Sequence, residues 1–341
     1  MSTCIPEVSY FGTPEFLTFA SHIITAIETP VNLFGAWIIL FRTPVTMSSV
    51  KWPMLNLHFW SSFLDFSISF LMVPFVLFPD TAGYPLGFLR YLGVGTGYQI
   101  HFGVTLIGIV TISILAVYEN RYFMVAPNNG LSKRISLIFL GTCYFLCLTF
   151  MIPFTFMIPD QEKAVKAVFE QLPCLPDYVY RSPVFVYAVN MLPVFSTTAS
   201  LFILAVTGIL VYISLTISSL LRKTRQLALS SKTLNLQKKF LFSLVVQTSI
   251  PVLVLFCPIG YLMVSMPQRY YNQAINNFVP ITFSLHGILS TIGMLTVHKH
   301  YRDATLAVFF PRFGVRVVEE KVNTTIVPAR KTTGKVECVA N

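Results

Sequence analysis

The side chains of this sequence that could do chemistry are a few ionisable and amide groups inside long apolar runs. They are His22, Glu28, Asp65, His101, Gln247 and His286. An ionisable group is expensive to bury in an apolar environment, so each marks a candidate functional site. Asp65 and His286 both fall near the middle of their runs, where a switch or a proton relay would need buried polarity and where the two could be partners. The alternative for each group is an ordinary hydrogen bond between helices, which contributes about 0.6 to 2 kcal/mol.

The sequence contains none of the residue patterns that are typical of enzymes. It has no His-Glu-x-x-His, no phosphate-binding loop, no Gly-x-Ser-x-Gly and no pair of acids at a catalytic spacing. The series Gly93, Gly95, Gly97 lacks the spacing and the preceding strand of a nucleotide-binding loop, and it indicates close helix packing instead. We therefore expect no enzyme activity, no metal and no cofactor.

The elements that must position these side chains are membrane-spanning helices. Of the 341 residues, 54% are hydrophobic and only 11% are charged, which fits no ordinary soluble class. A helix needs about 20 mainly apolar residues to cross the hydrocarbon core of a bilayer. The sequence predicts an all-α membrane protein, a seven-transmembrane-helix bundle over residues 17–297, with spans at about 17–41, 52–78, 98–118, 135–158, 191–221, 240–265 and 273–297.

The Lys and Arg residues predict how the bundle is oriented. They cluster after spans one, three, five and seven, whereas the opposite side holds few. Positively charged loops stay in the cytoplasm, so we expect an extracellular N-terminus, residues 1–16, and a cytoplasmic tail, residues 298–341. The tail begins with mixed basic and apolar residues, which predict a short amphipathic helix on the inner membrane surface or, alternatively, an unstructured segment. The cations form no basic face with interleaved aromatics, so no nucleic-acid partner is expected.

The cysteine positions predict one disulfide bond at most. Three cysteines lie inside predicted spans, and Cys338 lies in the cytoplasmic tail. Only Cys4 and Cys174 face the oxidising side of the membrane. A bond between them could tie the N-terminal segment to the second outer loop.

Two prolines in the sixth span are candidate hinges. Pro251 and Pro258 each remove a backbone donor and invite a kink in the helix. Proline is also common in membrane helices with a purely structural role, so the hinge and the structural interpretation both remain open.

A set of short stretches runs nearly from end to end of the chain and is specific in combination. They are FRTPVTMSSVKWPMLNLHFWSSFLD from Phe41, PDTAGYPLGFL from Pro79, ILAVYENRY from Ile114, QTSIPVLVLFCP from Gln247, and YYNQAINN, SLHGILST and HKHYR near the end. Together they resemble the nematode serpentine receptors of class H, a family of chemosensory G-protein-coupled receptors. The resemblance implies seven helices, a small-molecule ligand from outside, a heterotrimeric G protein as the inner partner, and a multi-pass place in the plasma membrane of sensory-neuron cilia.

The end of the third span looks like a variant of the acid-Arg-Tyr signature of rhodopsin-like receptors. Glu119 and Arg121 are two residues apart, and side chains at that spacing do not face each other on a helix. A local ionic lock is therefore not expected, although Arg121 could meet the G protein or another helix. The candidate switch and coupling residues are Asp65, Glu119, Arg121, Pro258 and His286.

If the chain is a receptor, its ligand should enter the outer half of the bundle. Depth and polarity select six candidate ligand-binding residues there, because receptor pockets are mainly apolar with a few polar groups. These are His22, Tyr98, Gln99, His101, Asn190 and Tyr261.

The competing function is that of an ion channel or a proton or solute transporter. Glu28, Asp65 and His286 would then form a polar path across the membrane. Many transporters contain paired repeats or broken helices at matching positions in their two halves, and this sequence shows neither.

Overall fold

The computed structural model describes residues 9–43, 48–126, 130–172, 174–190, 192–225 and 231–310. Helices dominate this part of the chain. They are α1 (Pro14–Arg42), α2 (Ser48–Phe66), α3 (Thr96–Val125), α4 (Gly130–Thr149), α5 (Ile152–Thr155), α6 (Gln161–Gln171), α7 (Asp177–Tyr180), α8 (Leu192–Arg225), α9 (Ser231–Gln268), α10 (Gln273–Ser284), α11 (His286–Val297) and α12 (Lys299–Phe309). The strands are β1 (Pro74–Val76), β2 (Ala82–Pro85) and β3 (Phe185–Val186).

In the described part of the chain, seven long helical segments follow one another in the order of the predicted spans, whose exact bounds stay a prediction. Among the described residues, α1, α3, α8 and the helical segment Gly130–Thr155 are each long and apolar enough to cross a membrane, and α10 with α11 forms a fifth such segment that is bent by 40°. The other two segments are α2 and α9. With 38 residues, α9 is about 57 Å long, so it exceeds the thickness of the hydrocarbon core.

Local sequence explains where several helices begin. Thr13 caps α1 by accepting a hydrogen bond from the backbone N–H of Phe16, and Pro14 occupies the first turn, where its missing donor costs nothing. Asp160 caps α6 and Asn272 caps α10 in the same way. Each cap replaces the absent helical partner of a backbone N–H group.

The second and seventh segments are less regular than the sequence predicted. The helical backbone of α2 continues as a π turn, Ser67–Met72, and stops at Val73, which has a φ of 40°. We expected this apolar run to be helical as far as Phe78, but its last part forms β1 instead. The prediction was wrong here because periodicity alone cannot distinguish a buried strand from a buried helix. The seventh segment is interrupted at Leu285, between α10 and α11.

A small folded cap covers the predicted extracellular end of the bundle. Its antiparallel sheet has the order β1-β2-β3, with Phe75 opposite Tyr84. Apolar side chains from this sheet, from α6 and from the ends of α1 and α10 share one core, in which Phe75 and Leu17 are fully buried. We call the sheet together with α6 and α7 the outer cap.

The expected short helix after the seventh span is present as α12. Tyr301 is fully buried against a core that includes Ile38 of α1 and Met54 of α2. Leu306, Val308 and Phe309 are exposed on the same helix. This division into a packed face and an exposed apolar face is what an amphipathic helix beside a membrane requires.

Candidate functional site

Asp65 of α2 and His286 of α11 meet in the centre of the bundle. His286 Nδ1 lies 2.5 Å from Asp65 Oδ1, and both side chains are fully buried. The same Nδ1 lies 2.9 Å from the carbonyl oxygen of Phe283. His286 Nε2 has no hydrogen-bond partner among the described residues. The site thus pairs a carboxyl group with an imidazole that keeps one nitrogen unused.

The break in the seventh segment explains why Asp65 lies where it does. Because α11 starts afresh at His286, the first N–H groups of that helix have no helical partner. Asp65 Oδ2 accepts a hydrogen bond of 3.0 Å from the backbone N–H of Ile288. A carboxylate at this position also interacts favourably with the positive end of the helix dipole. Asp65 therefore acts as a cap supplied to α11 by a different helix.

Gly287 allows this close approach of α11 to α2. A Cβ atom at residue 287 would collide with Asp65 Oδ2 and lie 3.0 Å from the carbonyl oxygen of Ser61. The backbone of α2 cannot retreat as easily as the end of a flexible side chain can. The site therefore requires glycine at this position.

Glu28 of α1 lies close enough to interact electrostatically with the Asp65–His286 pair. Its side chain is 1% exposed, and its Oε1 accepts a 2.7 Å hydrogen bond from Ser69 in the π turn. Ser69 in turn accepts a 2.7 Å bond from Thr25. Glu28 Oε2 has no partner among the described residues. A buried carboxyl with one unsatisfied oxygen is costly to keep inside the bundle.

A second polar cluster lies one turn further along α1. His58 Nε2 lies 2.8 Å from the carbonyl oxygen of Asn32, and Thr291 donates a 2.8 Å hydrogen bond to Asn32 Oδ1. A Cβ atom at Gly35 would lie 2.7 Å from Thr291 Cγ2, so glycine lets the three helices approach here too. The sequence analysis did not single out Asn32 and His58. Their spacing, four residues after Glu28 and seven before Asp65, places each on the same helix face as its acid and could have revealed them.

At the predicted cytoplasmic end, Glu119 and Arg121 contact different helices. Glu119 Oε1 accepts a 2.8 Å hydrogen bond from Ser136 of α4, which also lies 2.6 Å from the hydroxyl oxygen of Tyr212 of α8. Arg121 reaches α9, where Nη2 donates to the carbonyl oxygen of Gln237 at 3.1 Å. These contacts agree with the expectation that the two residues form no local lock.

The comparisons with known proteins decide what kind of bundle this is. The family model of the serpentine type 7TM GPCR chemoreceptor Srh matches residues 12–311. The chain belongs to the Srh family. A curated relative, serpentine receptor class H-72 of Caenorhabditis elegans, is 26% identical in an alignment of 321 residues that covers 90% of this chain and 89% of the relative. The class H resemblance of the sequence is therefore confirmed.

A solved structure shows the same architecture as this Srh protein. The crystal structure of squid rhodopsin matches with a TM-score of 0.51, covering 96% of this chain and 98% of that one. At 14% identity this likeness concerns the fold alone. It confirms the seven-transmembrane-helix bundle. Together with the family match, it shows that the Srh chain is a multi-pass membrane protein.

The six predicted ligand residues differ in their exposure and in their contacts. His22, Tyr98 and Asn190 are exposed, and His101 is half-buried. Two are occupied internally: Gln99 Nε2 donates to the carbonyl oxygen of Val94 at 2.8 Å, and the Tyr261 hydroxyl donates to Asn276 Oδ1 at 2.7 Å. No hydrogen bond in the described part of the chain joins any two of the six. Their role in ligand binding stays a prediction.

The remaining sequence predictions concern the hinge and the disulfide bond. Pro258 is buried within α9, whereas the side chain of Pro251 lies outside the described residues. Cys174 is disulfide-bonded. Its predicted partner, Cys4, lies outside the described residues, so the pairing of these two cysteines stays a prediction.

Proposed function

We propose that this Srh protein is a chemosensory receptor that binds an external small-molecule cue and activates a heterotrimeric G protein. Membership of a chemoreceptor family supports the receptor class. The observation that carries the proposal furthest is the contact of Asp65 with His286 and with the N-terminus of α11, at the break in the seventh span. In this proposal the receptor resides in the plasma membrane of sensory-neuron cilia.

The break divides the seventh span into two parts that are held by different contacts. Asp65 holds α11, whereas α10 is tied to the outer cap through Asn276, which donates a 2.9 Å hydrogen bond to the carbonyl oxygen of Phe78. A cue that binds one arrangement of these parts more tightly than the other shifts the population between them. In the proposal, the Asp65 contact is formed in one arrangement and broken in the other, and binding of the cue shifts the equilibrium between the two.

A second contact that could change on activation lies in the inner half of the bundle, between α3 and α9. Arg121 joins α3 to α9 through Gln237, and its guanidinium carbon lies 4.6 Å from the ring centre of Phe240. These residues stand at the base of the sixth span, next in sequence to Lys238 and Lys239 of α9. In the proposal, the active state releases this contact and opens the inner face to the G protein.

The proposal is tested by expressing the full chain in cells that carry a promiscuous G protein. Volatile and water-soluble cues are screened for second-messenger release while membrane current is recorded in parallel. A receptor gives a cue-dependent second-messenger signal that disappears without the G protein. A cue-dependent current that persists without any G protein would instead support the channel or transporter formed around Glu28, Asp65 and His286.

A further inference from the structure

One arginine fastens separate parts of the outer end of the molecule together. Arg269 lies in the connection between α9 and α10, and its Nη1 is 3.2 Å from Oδ1 of Asp80, in the loop between β1 and β2. Its Nη2 donates a hydrogen bond to Oε1 of Gln171, the last residue of α6. We call these two contacts of Arg269 the outer clasp. The outer clasp ties the connection between the sixth and seventh segments to the outer cap.

The backbone of Arg269 has an unfavourable conformation. Its φ is 52°, in the left-handed region, and it directly follows the last residue of α9. Glycine usually occupies such a position at the end of a helix, and another residue there costs energy that the surrounding contacts must offset. The Arg269 side chain makes contacts of this kind through the outer clasp. Loss of one of them therefore favours a rearrangement of the connection between α9 and α10.

The carboxyl group of Asp80 can take up a proton without first losing a hydrogen bond. Its Oδ2 has no partner among the described residues, whereas Oδ1 faces Arg269. The side chain is 12% exposed, and a proton, unlike a ligand, needs no cavity to reach it. Burial raises the pKa of Asp80 above its ordinary value, and the charge of Arg269 opposes this increase. Because the folded chain binds this proton more readily than the unfolded chain does, acid acts on the outer clasp without unfolding the cap at this site.

The groups around Asp80 identify the control that a pH experiment needs. Arg269 is the charged group that acts on Asp80 within the described part of the chain. The other polar and ionisable groups on the surrounding elements are Gln171 and Glu170 of α6, Asn276 of α10, Tyr270 beside Arg269, and Tyr187 after β3. The amides do not titrate and the phenols stay neutral in acid. The exposed carboxyl of Glu170 is therefore the neighbour to compare with Asp80.

We propose that the outer clasp is an acid-sensitive switch on the predicted extracellular face. A proton that binds Oδ2 of Asp80 neutralises the carboxyl group, the ion pair with Arg269 is lost, and the connection between α9 and α10 separates from the outer cap. The seventh span keeps its own contact with the cap through Asn276. External acidity is then a regulator of the receptor. This regulatory meaning rests on the proposed function, whereas the switch itself does not.

Hydroxyl-radical footprinting of the purified full chain in phosphatidylcholine nanodiscs tests the switch directly. Oxidation of Met266 and Tyr271, both half-buried at the connection, is measured by mass spectrometry at about pH 7.5 and about pH 4.5. Loss of the ion pair should raise the ratio of separated to clasped connections about fivefold in acid, and oxidation of both residues should rise with it. Oxidation of Tyr180 on α7 should stay constant. An equal rise at Tyr180 would indicate unfolding of the whole cap and would contradict the proposal.

Two substitutions identify the group that takes up the proton. Asp80→Asn removes the charge permanently, so both pH values should give the oxidation that the native chain shows in acid. Glu170→Gln neutralises the neighbouring exposed carboxyl group and should preserve the native response to pH. A rise in acid that is as large in Asp80→Asn as in the native chain would assign the response to another group and overturn the proposal.

The native chain decides the question even if Asp80→Asn fails to fold. Equal oxidation of Met266 and Tyr271 at the two pH values would show that the outer clasp does not respond to acid, and it would overturn the proposal. Arg269→Gln removes the other partner of the ion pair and should raise the oxidation already at the higher pH. The experiment requires no cue and no G protein. Failure of the switch is therefore distinguishable from failure of the receptor function.

Discussion

At the scale of single residues, the centre of the bundle depends on how closely α11 approaches α2. Asp65 contacts both the imidazole of His286 and the backbone N–H of Ile288, and Gly287 supplies the space. The sequence analysis could nominate Asp65 and His286 because a charged residue in the middle of an apolar run is conspicuous. It could not identify the backbone contact, since that contact depends on a helix break that hydropathy does not reveal.

Gly287→Ala should destabilise the protein. The added Cβ would collide with the Asp65 carboxylate and press on the carbonyl oxygen of Ser61, and overpacking of this kind costs about 1–3 kcal/mol. We expect a lower midpoint of thermal unfolding in nanodiscs. Gly141→Ala is the matched control, because a Cβ there meets nothing within 4 Å and alanine favours a helix. Equal midpoints for Gly287→Ala and the native protein would show that α11 can move away at no cost.

At the scale of elements, the long helices were predictable and their interruptions were not. An apolar run of about 20 residues predicts a span whatever its detailed backbone. The turn at Val73 and the break at Leu285 depend on tertiary contacts, such as the pairing of β1 with β2, that no single run encodes. The assignment of a ligand pocket to polar residues of the outer half therefore stays a prediction.

The junction of α11 with α12 should be sensitive to acid. His298 lies there, and its Nε2 is 2.8 Å from Gln247 Oε1 of α9. Burial, with a smaller contribution from His300, lowers the pKa of His298 to about 4. Because the unfolded chain binds this proton more readily, the stability that neutral His298 contributes is present above about pH 6.5 and is lost as the pH falls towards 4.

We expect His298→Gln to flatten the fall in thermal midpoint between about pH 6.5 and pH 4, because a glutamine cannot take up the proton. Unfolding of the purified protein across this pH range measures the effect. His300→Gln, at an exposed position two residues later, is the matched control and should retain most of the native slope. Identical slopes for His298→Gln and the native protein would exclude His298 as the source of the acid sensitivity.

At the scale of the whole molecule, the outer cap closes one end of the bundle. It combines segments that are far apart in the sequence, and the ion pair of Arg269 with Asp80, at 3.2 Å, joins the loop before α10 to the loop after β1. The sequence predicted the bundle from hydropathy and the family from its motifs. It did not predict the cap, because short strands in a loop produce no distinctive periodicity.

The cap should also be linked covalently to the N-terminal segment. Mass mapping of the intact protein under non-reducing conditions should recover a peptide that joins Cys4 to Cys174, since Cys174 is disulfide-bonded and these two cysteines face the oxidising side. Reduction should lower the thermal midpoint by removing a constraint on the unfolded chain. Recovery of both cysteines as free thiols would contradict the pairing.

The most direct test of the account is the cue dose response of Asp65→Asn, read as G-protein-dependent second-messenger release at matched surface expression. The substitution replaces a carboxyl oxygen of Asp65 by an amide nitrogen and so weakens its contacts with His286 and α11. A weakening of about 1.5 kcal/mol corresponds to a shift of about tenfold in the half-maximal cue concentration. Asp177→Asn, which changes the same functional group in a side chain that is 89% exposed, should leave the response unchanged. The account predicts an altered response in Asp65→Asn with normal surface expression, and a response identical to that of the native protein would contradict it.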